Sequence, residues 1–502
     1  MLAQARDSAE RIGRIIEAHA EWLYVRDGRR LSAVLRVEID FRVAQHSLIF
    51  YCLSDEGIEV WRVRDWAWTN EKLLLEAERG AGRERAQLEL IPRISASALA
   101  EEVSSRRRAR CAALAQLACA QLPGASIVRA SLSAGAGGSN QPGSFARIVL
   151  KHRRATLAIT GIVTDARLQR VDALLSSTLI WLARLRETSS APLRLWVIIE
   201  KPLVEALRQR VALLRDELRR AVVIYELGEA WTSLTEVPQY KMKELLEAGL
   251  PRINLCRTEM TGTAASIVAL APRAIDVVRA RHGETLRFHG LAFARVRRTM
   301  NQERVWFGLN PSSRRILDDD TRAEWEKLLD ELAEHRRADA PDHYHALYKQ
   351  SPEAWLESIL RRDITRLDPG LRLAPLHAQF RAEQTKMGGS RPVDLLALRH
   401  DGRLTVIELK VAQDREHVLQ GADYWRRIET YRRSGAISRA RLFDDARISD
   451  QPPLVYLAAP ALSFHRAFRQ LAASLRKEIE LYRFDLNEDW RQGVRVIRRE
   501  GL

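Results

Sequence analysis

Three charged side chains set inside two consecutive apolar runs constrain this chain more than any other feature. VDLLALRH (393–400) and LTVIELKV (404–411) flank the turn HDGR (400–403), and each run is apolar enough for a central strand buried on both faces. Asp394, Glu408 and Lys410 nevertheless lie within them. A carboxylate buried without a partner costs several kcal/mol, so these acids are either paired structurally or employed in chemistry. Glu408 and Lys410 are two apart and share a strand face, and the short turn sets the start of the first strand, with Asp394, beside the end of the second. Two carboxylates and one ammonium converging at a sheet end suit Mg²⁺ or Mn²⁺, which keep most of their waters. Such an ion polarises a phosphodiester and acidifies its bound water, and a lysine beside it orients or deprotonates that water or steadies the charge on phosphorus.

The lysine is informative because the chain has only 10 Lys among its 81 basic residues, the rest being Arg. Arginine does not lose its proton and could not serve as a base there. With Gln420 and Tyr424 in QGADY downstream, the constellation resembles the PD-(D/E)xK nuclease superfamily, most closely its NucS-like DNA endonucleases. The resemblance implies that Asp394 and Glu408 hold a metal ion, that Lys410 assists the attacking water, and that Gln420 and Tyr424 lie beside the active centre on the following helix. It also implies a glutamate from a preceding helix, and SPEAWLESIL (351–360) offers Glu353 and Glu357 one turn apart, with Glu353 preferred. The proline that names the superfamily is displaced, Pro392 standing two residues before Asp394. The implied function is a Mg²⁺-dependent endonuclease cutting DNA, with repair, recombination and defence left open as settings. The alternative is a nucleic-acid-binding protein whose inactive nuclease fold is a scaffold, and the bland reading of the charges is a buried ion pair.

A net charge of +16 and a pI near 10.0 favour a polyanionic partner, because guanidinium groups bind phosphate bidentately. DNA fits best; a second copy of the chain or an accessory protein is left open. The N-terminus lacks the apolar core of a signal peptide and no run of eighteen uncharged apolar residues occurs, so a soluble, cytoplasmic protein with no membrane partner is expected. Cys52, Cys111, Cys119 and Cys256 have no paired metal-ligand spacing.

Along the chain, residues 7–25 have helical periodicity and residues 31–93 read as a small antiparallel unit. Trp61, Trp66 and Trp68 with Arg62 and Arg64 fit either a base-stacking surface or a β core, the core being favoured. Residues 97–230 and 351–502 then show one element order twice, αβββαβαβ. The expected fold is therefore α/β: a C-terminal restriction-endonuclease-like domain (351–502), a catalytically empty copy of a similar fold (97–230), a connecting α+β region (231–350) and an N-terminal helix with a β-rich unit (1–96). Two unrelated α/β units would give the same order. Aligning the copies sets Ala146 opposite Asp394, Thr160 opposite Glu408, Ile162 opposite Lys410, and Ser176 and Ile180 opposite Gln420 and Tyr424. In the connecting region Arg295, Arg297 and Arg298 are candidate DNA contacts on a hairpin strand, and DHYH (342–345) reads as ordinary surface residues rather than a metal site.

Overall fold

The computed structural model describes residues 2–502 except 28, 45, 55–56, 70, 81, 83, 94–95, 135–141, 165–169, 189–192, 248–252, 254–259, 281–282, 300–301, 311–313 and 381–391. Cys256 and much of the two loops GAGGSNQPG and KMGGSRP lie outside the described residues. The protein is a mixed α/β chain with four sheets, divided into two compact units, Met1–Arg107 and Arg108–Leu502. No helix among the described residues is long and apolar enough to cross a membrane.

In the first unit, helix Leu2–Glu17 accompanies a seven-stranded antiparallel sheet. Residues 21–25, expected to extend that helix, form strand Glu21–Arg26 instead, because Trp22 and Tyr24 alternate into the core as strand geometry requires. Trp61 is fully buried and donates to Glu59 at 2.8 Å, while Arg64 pairs with buried Glu78 at 2.8 Å. Trp61 is thus a core residue and not a stacking platform.

The second unit holds two six-stranded sheets with one topology. The first sheet runs Ser126–Ala134, Pro142–His152, Ala155–Ile162, Leu193–Glu200, Val222–Leu227 and Leu234–Val237. The second runs His377–Phe380, Val393–Leu398, Leu404–Leu409, Leu454–Pro460, Leu481–Leu486 and Val496–Gly501. In both, spatial order follows chain order, the first three strands and the last pair are antiparallel, and the third, fourth and fifth are parallel. Each parallel crossover carries a helix, as parallel pairing demands. These are Arg170–Thr188 and Lys201–Ala212 in the first sheet, His417–Arg433 and Phe468–Ala472 in the second.

These four helices join the sheets into one core. Leu174, Leu175 and Leu182 share a buried cluster with Val418, Leu419 and Trp425. The contacts are reciprocal: Lys201–Ala212 packs on His417–Arg433, and its counterpart Phe468–Ala472 packs on Arg170–Thr188. Leu214 and Leu475, each just past its sheet's second crossover helix, form an antiparallel bridge in which Arg215 N–H donates to Ser474 O and Arg476 N–H to Leu213 O. Such self-complementary contacts are those of a two-fold dimer, here within one chain. Buried Asp423 anchors the seam, accepting from Arg210 at 2.5 Å and Arg426 at 3.0 Å and pairing with Arg427 at 2.5 Å.

Between the two sheets in chain order comes an antiparallel five-stranded sheet from Ile275 to Ile316, backed by helix Arg322–His335. The stretch 285–298 turns at His289–Gly290, where both residues take positive φ, and so forms parts of two strands, Gly283–Phe288 and Leu291–Thr299. That turn presses on helix Pro352–Arg362: the His289 ring stacks on Trp355 at 5.2 Å, and buried Arg336 donates to Phe288 O, His289 O and Leu347 O.

Candidate active site

The centre lies at one end of the second sheet. Strands Val393–Leu398 and Leu404–Leu409 pair Leu395 with Ile407, and the same register continued by one residue sets Asp394 across from Glu408. Lys410 follows the second of these strands and its N–H still donates to Ala458 O, so the backbone beneath the ammonium is held by the neighbouring strand. Lys410 Nζ reaches Glu408 Oε1 at 2.5 Å and Asp414 at 4.0 Å, and Leu409 N–H donates to Asp394 Oδ2 at 2.9 Å. The three residues singled out in the sequence are therefore together in space.

Burial and mutual repulsion raise both carboxyl groups of this centre. Desolvation first, and the Asp394 charge second, push Glu408 up to about 8. Desolvation likewise raises Asp394, with the Glu357 charge adding to it and Lys410 opposing. Burial disfavours the Lys410 ammonium, yet Glu408 and Asp394 outweigh it and hold the lysine above its usual value. Lys410 is thereby kept charged.

Of the two helix carboxylates, Glu357 is the one whose charge acts on Asp394. Glu353, preferred from the sequence, lies in the first turn of Pro352–Arg362 and is partly exposed. Glu357 is one turn further along, 3% exposed among Trp355, Leu356 and Leu360, paired with Arg287 at 3.4 Å, and close enough to raise Asp394. One turn of helix decides which acid is aimed inward, and the apolar face of this helix is too wide for the sequence to show where it points.

On helix His417–Arg433, Gln420 and Tyr424 are buried against the same sheet face. Burial and then the Glu408 and Asp394 charges raise the Tyr424 phenol well above its usual value, so it remains a neutral donor. Glu408 Oε2 and Gln420 Oε1 are buried without a hydrogen-bond partner. Two orphaned oxygens, with Asp394 beside one of them, are a hard-donor set of the kind a hydrated Mg²⁺ takes. No group of three or more His, Cys, Asp or Glu among the described residues, this centre included, is arranged to hold a metal, and His343 and His345 stack on Tyr348 and His335. His417, which the sequence reading passed over, is buried with a ring nitrogen 3.2 Å from Glu408 O, and desolvation lowers it to about 3. Its signal was a lone histidine at the start of the helix that carries Gln420.

Of the three candidate arginines on Leu291–Thr299, Arg295 and Arg297 share a face, opposite Trp306 and Arg304 on the next strand, and both act on Arg314. Arg298 points the other way, opposite Glu303. Arg295 and Arg297 thus contribute to a basic strip bearing an aromatic ring, from which Arg298 is absent.

In the first sheet the corresponding place has no acid. The alignment that set Ala146 opposite Asp394 is displaced by one residue. Arg147 is the residue across from Thr160, and Ala146 faces the other side, in the cluster with Cys111 and Leu114. The cause is the hairpin: Arg153 and Arg154 alone separate the paired His152 and Ala155, whereas His400, Asp401 and Gly402 separate Arg399 from Arg403, whose N–H···O bond closes the second turn. One residue of slip exchanges the two faces of a strand. On the facing helix it is Ser177 and Thr178 that bond Arg147 and Thr160, rather than Ser176 and Ile180.

The class that fold and site define is a mixed α/β protein with a duplicated six-stranded sheet and one buried Asp–Glu–Lys centre. No protein-family model and no curated protein matches the chain. Among solved structures it is similar to a chain of one described as "Structure of EndoMS-dsDNA2 complex", at 13% identity over 39% of this chain and 87% of that one, with a TM-score of 0.15. Superposition at that level leaves the functional reading to the residues themselves.

Proposed function

We propose that residues 351–502 form a restriction-endonuclease-like domain of the PD-(D/E)xK type, and that the protein is a Mg²⁺- or Mn²⁺-dependent endonuclease acting on DNA. The observation that carries this reading is the convergence of Asp394, Glu408 and Lys410 at a sheet end with Glu408 Oε2 and Gln420 Oε1 left unpartnered. Asp394 and Glu408 would hold the ion, and Glu357, rather than Glu353, is the helix carboxylate whose charge acts on Asp394. When bound, the ion supplies Lewis-acid polarisation of the phosphodiester and an acidified water.

The chain's own groups divide the remaining work. Lys410, kept charged by its carboxylate neighbours, donates hydrogen bonds to the attacking water or to the phosphate oxygens, and this supports an electrostatic role over that of a base. Gln420 and the neutral Tyr424 hydroxyl orient groups around the scissile phosphate. Arg295 and Arg297, with Trp306 directly across from Arg295, are suited to backbone contact.

The test is cleavage of end-labelled duplex, single-stranded, mismatched, flapped and branched DNA in Mg²⁺, Mn²⁺ or EDTA. Lys410→Ala is expected to lose about a hundredfold or more of the metal-dependent rate while still binding DNA. Tight binding with no cutting of any substrate would move the reading to a DNA-binding protein with an inactive centre.

A further inference from the structure

In the first sheet, the place that Asp394 holds in the second is taken by a guanidinium. Arg147 stands across from Thr160 on the helix-facing side and donates to Ser177 Oγ at 3.2 Å, with Trp181 5.9 Å beneath it. Arg129 lies two residues from Ser131, the other cross-strand neighbour of Arg147, and so on the same face of the sheet. The charges acting on Arg147 are those of Arg184, Arg415 and Arg129, and together with burial they lower its proton affinity. No carboxylate among the described residues pairs with Arg147. Guanidinium groups set near one another repel, and the arrangement is relieved when an anion sits among them.

One of these arginines belongs to the other copy. Arg415 lies on the segment between Lys410 and helix His417–Arg433, five residues past Lys410. The basic cluster of the first sheet and the acidic centre of the second are therefore joined by one short stretch of chain. We infer that the emptied centre of the first copy is a phosphate-binding site, in which Arg147 with Arg129, Arg184 and Arg415 grips a backbone phosphate of the nucleic acid whose scissile phosphate lies at Asp394, Glu408 and Lys410. The identity of the anion rests on the nuclease reading; the binding site itself does not.

Binding measured in EDTA separates the two. Affinity for a fluorescein-labelled duplex and a labelled single strand is titrated at several salt concentrations for wild type, Arg147→Ala, Arg147→Lys and Arg415→Ala, with exposed Arg447→Ala as control. Arg147→Ala is expected to weaken binding about tenfold and to lower the salt slope by about one ion, Arg415→Ala to do the same in part, and Arg147→Lys to restore much of the slope. Thermal melting reports folding; if Arg147→Ala does not fold, Arg415→Ala on its surface segment carries the test. Unchanged affinity and slope in Arg147→Ala and Arg415→Ala, or a fall in melting temperature with binding intact, would overturn the site and leave Arg147 a structural partner of Trp181 and Ser177. Loss of binding in these variants with no cleavage by wild type in Mg²⁺ would keep the phosphate site and sink the nuclease.

Discussion

At the scale of single residues, the centre is a cluster of carboxylates largely withdrawn from water. Glu408, raised to about 8 from 4.5, binds a proton in the folded chain that the unfolded chain releases, so it makes stability fall as pH rises between those values. His417 and His289, lowered by burial to about 3 and about 4, act in the opposite sense, but only below their unfolded value of 6.5. The window in which Glu408 acts alone among them is pH 6.5 to 8. Urea unfolding in EDTA should therefore show stability declining across that window, Glu408→Gln should flatten the decline, and Mg²⁺ should reverse it in wild type by binding the ionised form. An equal decline in Glu408→Gln would show that another group is responsible. Much of this was legible in the sequence, since a carboxylate in an apolar strand announces its own desolvation. What was not legible was the choice between Glu353 and Glu357, which depends on how one helix is rotated about its axis.

At the scale of elements, the helix that delivers Glu357 is positioned by a turn from another sheet. Gly290, at φ 80°, lies so close that an added Cβ would meet Ala354 O at 2.0 Å and Trp355 N at 2.6 Å. A side chain there must push the helix away as well as adopt a backbone conformation that only glycine takes easily. Gly290→Ala is expected to lower stability by about 1–3 kcal/mol and to reduce cleavage beyond what stability explains, because Glu357 moves with the helix. Loss of stability with full activity in the folded fraction would mean that Glu357 is not part of the centre. The sequence gives no hint of this contact, which joins residues more than sixty apart. The hairpin slip has the same origin: two turns differing by one residue are easily aligned as equal, and only the cross-strand pairs reveal Arg147 in place of Ala146.

At the scale of the whole molecule, two sheets of one topology pack through equivalent helices, and one of them carries a charged centre while the other carries Arg147, Thr160 and Ile162. On the nuclease reading, a pairing of this kind has one cutting centre where a symmetric dimer would have two. Supercoiled plasmid is then expected to pass to open circle well before any linear form accumulates, followed on an agarose gel. Linear product formed directly would show that two chains act together on the duplex.

The sequence by itself determined the local chemistry and most of the order of elements: charges in apolar strands, an αβββαβαβ order written twice but short of the last antiparallel strand of each sheet, and an excess of guanidinium. These depend on neighbours in the chain, and periodicity and burial cost make them readable. Only the tertiary structure decided which helix acid is buried, that a glycine turn sets that helix, and that Arg147 holds in the first sheet the place Asp394 holds in the second. Each of those rests on a contact between residues far apart in sequence, and rotation, register and packing are settled only when the surfaces meet.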